Sequence, residues 1–100
     1  MIDKFIKIKK MIIKKYLVIS GKVQGVGFRY WMQNLAINNN IGGWVKNKLS
    51  GEVEALIIGQ EKEVQKLIKQ CKIGPSSATI QNIQINDYDQ DYSKEGFNIF

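Results

Sequence analysis

Residues 12–36 read IIKKYLVISGKVQGVGFRYWMQNLA, and two periodicities meet inside that stretch. From Ile12 to Ser20 the chain is β-branched and apolar, which predicts a strand ended by Gly21. After Gly27, the residues Phe28, Trp31, Met32, Leu35 and Ala36 recur at spacings of three and four. That is one apolar face of a helix, closed by Asn38, Asn39 and Asn40. Three glycines in seven residues make Gly21–Gly27 a loop between them. Strand, glycine loop and helix together open a βαβ unit.

The rest of the chain repeats the theme. Gly43–Lys48, a turn at Leu49-Ser50-Gly51 and Glu52–Ile58 predict a hairpin, with Val53, Ala55 and Ile57 alternating against Glu52 and Glu54. Residues 61–73 carry Val64, Leu67, Ile68 and Cys71 on one helical face, with acids early and lysines late as the helix dipole prefers. Gly74-Pro75 stops that helix. Ile80, Ile83 and Ile85 predict a further strand, and their change of spacing allows a bulge near Asn82. Asp87, Asp89 and Asp91 lead to a last short strand, Phe97–Phe100. Two helices with one apolar face each are buried most simply on the same side of a sheet. The expected class is α+β, a ferredoxin-like βαββαβ sandwich. Its antiparallel sheet carries two helices on one face and a short extra C-terminal strand.

One hundred residues with one proline, one cysteine and no histidine suit a single domain without a disulfide framework, a histidine triad or a two-histidine metal site. The net charge of +6 is concentrated at the start: residues 1–15 carry +5, and residues 16–100 only +1. Residues 1–11 fit a strand or a frayed tail and are set apart as a lysine-rich extension, with 12–100 as the domain and Met11 as an alternative start. No stretch reaches the roughly 18 uninterrupted apolar residues of a membrane span, and the N-terminus lacks a leader pattern, so a cytoplasmic protein with no membrane partner is expected.

Fourteen of the fifteen basic residues are lysine, and the exception, Arg29, follows the glycine loop directly. A loop between strand and helix collects unpaired backbone N–H groups and the positive end of the helix dipole, which suits an anion. A cation in the first helical turn opposes that dipole unless an anion lies between them, where a guanidinium can clamp it with two parallel hydrogen bonds. The glycines match neither GxxxxGK[ST] nor GxGxxG, since Tyr30 stands where the third glycine would be. On these residues alone, a tight turn with a solvated arginine explains the loop equally well.

The run Gly21-Lys22-Val23-Gln24-Gly25-Val26-Gly27-Phe28-Arg29 resembles the first signature of the acylphosphatase family, small common type. The run from Gly43 to Val53, closed by Gly59, resembles the second, and Gly74-Pro75-Ser76-Ser77-Ala78 the turn after the second helix. The resemblance spans residues 13–100, and the family's fold is ferredoxin-like. It implies an enzyme that hydrolyses the carboxyl-phosphate bond of acyl phosphates by direct water attack, giving a carboxylate and inorganic phosphate, without metal or other cofactor. Carried over by position, Arg29 binds the phosphate with backbone N–H groups of Gln24, Gly25, Val26, Gly27 and Phe28, and the Asn47 side chain orients the water. Judged by itself, Asn47 is an ordinary exposed strand residue. The implied partners are a small acyl phosphate and phosphate as product or inhibitor, with no nucleic acid and a monomeric state. A free-standing enzyme is favoured over the acylphosphatase-like domain of longer hydrogenase-maturation proteins.

So few groups suffice for this chemistry. A carboxylate, whose conjugate acid ionises at a pKa of about 4, leaves without a general acid. Phosphoryl transfer asks mainly for positioning and for stabilisation of charge on the equatorial oxygens. Other candidates read as structure: Cys71 as core, Trp31 and Trp44 as packing, and the alternating aspartates as a solvated turn lacking the glycine and glutamate of a calcium loop. The alternative function is a nucleic-acid-binding module of the same fold. It calls for aromatics on a basic sheet face, whereas the predicted strands offer Glu52 and Glu54.

Overall fold

The computed structural model describes residues 11–100. Seven elements follow one another: β1 (Ile12–Lys22), α1 (Phe28–Asn38), β2 (Gly42–Asn47), β3 (Val53–Gln60), α2 (Glu61–Cys71), β4 (Thr79–Asp87) and β5 (Phe97–Ile99). The strands form one sheet in the order β4-β1-β3-β2-β5. Of the expected lysine-rich extension, residues 1–10 lie outside the described part. The Met11 main-chain oxygen accepts a hydrogen bond from the Glu61 N–H at 3.0 Å.

The core follows from the alternation. Leu17 and Ile19 of β1, Val45 of β2, and Val53, Ala55 and Ile57 of β3 are buried on one face of the sheet. Phe28, Met32 and Ala36 of α1, with Val64, Leu67, Ile68 and Cys71 of α2, close over them. The expected bulge is present. Ser20 pairs with Asn82 and Gly21 with Ile80, so Gln81 is the extra residue of β4.

Two expectations need correction. The sheet is mixed, because β5 runs parallel to β2, Gly43 facing Phe97 and Val45 facing Ile99. The reason is the path of the chain. β4 ends at Asp87, which aligns through Lys15 and Ile57 with Gly43 near the start of β2. A chain crossing to the far edge from that end must then run in the direction of β2. Asp87 is also no part of a turn; it ends β4 and pairs with the ammonium of Lys15.

The asparagine run after α1 has a specific job. Asn40 takes a left-handed φ of 56°, the Asn40 N–H donates to Ile37 O at 3.3 Å, and the Ile41 N–H donates to Ala36 O at 2.8 Å. This is a Schellman ending with buried Ile41 as its hydrophobic residue. It turns the chain straight into β2.

Candidate active site

The loop after β1 is pinned from inside and open outside. Val23 and Phe28 are buried, and Val26 packs against the core, while Gly25 and Gly27 are exposed between them. Gly25 and Gly27 adopt φ of 72° and 77°, a left-handed region that favours glycine. Gly27 is the N-cap of α1 and offers no side chain to its amides; the first helical bond runs from the Trp31 N–H to Gly27 O at 3.0 Å. The first turn of α1 holds no acidic residue, whereas that of α2 holds Glu61 and Glu63. The N-terminal end of α1 is therefore electropositive and uncompensated.

Arg29 adds to that charge from the same turn. Among the described residues no Asp or Glu side chain pairs with it, and its Nη1 makes one long contact, 3.5 Å, to the main-chain oxygen of Phe100. Phe28 is held by Trp31, ring centroids 5.2 Å apart, so the residue before Arg29 cannot drift.

Asn47 ends β2 opposite Val53, which brings it to the same end of the sheet as the loop. Gly25, Gly27, Phe28, Arg29 and Asn47 line one cleft of about 210 Å³, together with Val23 and Tyr30. Gln24 and Val26 stand beside that cleft and do not line it. The Asn47 Oδ1 is buried without a hydrogen-bond partner. A buried polar atom in that condition calls for a water or ligand to satisfy it. Sequence reasoning missed two contributions: Tyr30, exposed at the mouth, and the side chain of Gln24.

The remaining candidates are structural. Burial pushes the Cys71 thiol up to about 12. Trp44 lies on the helix-free face between Tyr16 and Phe100, with centroids 6.3 Å and 6.2 Å away. Beside it the Tyr16 hydroxyl donates to Glu54, whose carboxylate also meets Lys46 at 3.3 Å. Among the described residues no three His, Cys, Asp or Glu side chains gather to hold a metal ion, and no helix is long and apolar enough to cross a membrane.

The model of the Acylphosphatase family matches residues 15–99. An acylphosphatase of Nitrobacter winogradskyi is 43% identical over 72 residues, 72% of this chain and 73% of that one. The crystal structure of acylphosphatase from Bacillus subtilis superposes with a TM-score of 0.83 at 32% identity, over 90% of this chain and 99% of that chain. An acylphosphatase structure from Coxiella burnetii gives 0.84 at 30% identity, over 92% and 98%. With the matched residues running from the middle of β1 to the end of β5, the chain belongs to the acylphosphatase family.

Proposed function

We propose that the cleft between the Val23–Gly27 loop and Asn47 is where an acyl phosphate is hydrolysed to a carboxylate and inorganic phosphate. The enzyme is an acylphosphatase, a hydrolase acting on acid anhydrides. The observation that carries the site is convergence. An uncapped helix N-terminus, an arginine without an Asp or Glu partner among the described residues and an amide with a buried, unsatisfied oxygen all face one small cavity. The first two supply positive charge for the equatorial phosphate oxygens, and the third supplies a hydrogen-bonding group for water. In this reading the amides of residues 24–28 and the Arg29 fork hold the phosphate, and Asn47 accepts a hydrogen bond from the attacking water and aligns it in line with the leaving carboxylate. Water bonds to phosphorus, the bond from phosphorus to the carboxyl oxygen breaks, and the water's proton passes to a phosphate oxygen. No side-chain base and no metal is needed.

The test is hydrolysis of benzoyl phosphate with chelator present, by the full chain and by Arg29→Ala and Asn47→Ala. Each variant should lose about 10²-fold or more in kcat, the usual consequence of deleting one transition-state contact. Chelator-sensitive turnover, or full activity in either variant, refutes the assignment. The domain itself is proposed to span residues 12–100, so deletion of residues 1–10 should leave kcat/KM within about 2-fold. A larger fall assigns the lysine-rich segment a part in the reaction.

A further inference from the structure

We infer that the Gln24 side chain is a positioning residue that sets Asn47 against the phosphate loop, an inference that rests on the reaction proposed above. Gln24 lies in the loop but does not line the cleft. Its Nε2 donates to Lys48 O at 2.8 Å and to Glu52 O at 2.9 Å. The orientation of this amide is not ambiguous. Both neighbours are carbonyl oxygens, which only accept, so the NH2 end must face them.

Those two carbonyls form the neck of the β2–β3 turn. The Lys48 N–H donates to Glu52 O at 2.8 Å, and the Gly51 N–H donates to Lys48 O at 3.1 Å. Gln24 thus grips the turn on both of its sides, immediately after Asn47. The turn's other side-chain contacts are local and exposed: Leu49, Ser50 and Gly51 are exposed, the Ser50 hydroxyl donates to Glu52 Oε1 at 2.8 Å, and the Lys48–Glu52 ion pair spans 3.9 Å across its outside. The loop is anchored independently by buried Val23 and Phe28. One amide therefore fixes the distance between the group that would orient water and the groups that would hold phosphate. Within the sheet the two segments are not neighbours, because β3 lies between β1 and β2.

A positioning role predicts loss in kcat rather than in phosphate binding. Gln24→Ala should lower kcat for benzoyl phosphate about 10-fold, while KM and inhibition by inorganic phosphate shift less than about 3-fold. In the Asn47→Ala background the same substitution should cost less than about 2-fold, because the group it positions is gone. Gln24→Glu keeps the length but turns a carboxylate toward two carbonyls, and should fall at least as far as Gln24→Ala. Gln24→Met, long and without donors, replaces Gln24→Ala if that variant melts below the assay temperature. Equal losses with and without Asn47, or full activity in Gln24→Glu, overturn the inference while the parent's turnover leaves the reaction standing. A folded parent without turnover removes both.

Discussion

Gly27 and Gly96 make a matched pair for testing what the loop conformation does. Both have φ of 77°, and a Cβ built on either meets nothing within 4 Å. Replacement by alanine therefore costs backbone strain and no collision. An L-residue in the left-handed region loses about 1–2 kcal/mol, and alanine recovers up to about 1 kcal/mol by restricting the unfolded chain, leaving a net loss of about 1 kcal/mol. For a domain of this size that lowers Tm by roughly 4–8 °C in both variants. Activity should separate them. Relaxing φ at Gly27 rotates the peptide planes on either side of it, which carry the proposed cradle amides, whereas Gly96 precedes β5 and does not line the cleft. Misaligning one such donor should lower kcat/KM for benzoyl phosphate at least about 10-fold in Gly27→Ala, and less than about 2-fold in Gly96→Ala. The assay is run well below both melting points. Equal activity in the two variants would show that the loop amides are not used; equal loss would show that turnover merely follows stability.

Arg29→Ala should leave ligand-free stability unchanged or slightly raised in urea unfolding, because the arginine opposes the α1 dipole and has no Asp or Glu partner among the described residues. The same variant should lose the stabilisation that phosphate confers on the parent, about 2.7 kcal/mol at 100 times Kd. Asn40→Gly should raise stability by about 0.5–1 kcal/mol in the same assay, since glycine takes the Schellman position at less strain. Burial and the bond to Glu54 push the Tyr16 phenol up from 10.0 to about 12. A raised folded value means that the unfolded chain ionises first, so this contribution is intact below pH 10 and disappears as pH approaches 12. Tyr16→Phe should flatten that part of the alkaline fall in urea midpoint; an unchanged slope would refute it.

The periodic elements are legible because their signals are local. Val64, Leu67, Ile68 and Cys71 mark a helix face wherever the helix ends up, and the irregular isoleucine spacing in β4 announces its bulge. The direction of β5 is not legible. Three residues carry no directional signal, and their pairing depends on which end of the sheet the preceding loop leaves. Asn40 illustrates the intermediate case: the asparagines mark an ending, but which of them turns left-handed depends on where Ile41 finds the core. At the cleft, the type and order of the glycines and Arg29 suit an anion loop and a tight turn with a solvated arginine equally well. Asn47 cannot be read from its own surroundings in the sequence, because its meaning lies in proximity to a loop twenty residues earlier. For Gln24 the sequence supports only a backbone role, since nothing local says that its amide reaches carbonyls 24 and 28 residues away.

That division follows from what the reaction demands. With a good leaving group and a substrate able to take its own proton, the protein need not tune the acidity of any side chain. What it must supply is fixed charge and fixed distance. Fixed charge has a local signature, because backbone amides at a helix start and an adjacent arginine are consecutive in the chain. Fixed distance between two segments has none, because it is set by strand order: β3 lies between β1 and β2, so the loop after β1 and the turn after β2 emerge at the same end of the sheet, one strand apart. That gap must be closed by side chains. The Asn47 amide spans part of it toward the cleft, and the Gln24 amide spans it underneath, from loop to turn. In the proposed reaction, a ferredoxin-like sheet lacking either residue would retain the electropositive helix start and could still bind phosphate, but would hold water less well at the angle from which phosphorus can be attacked.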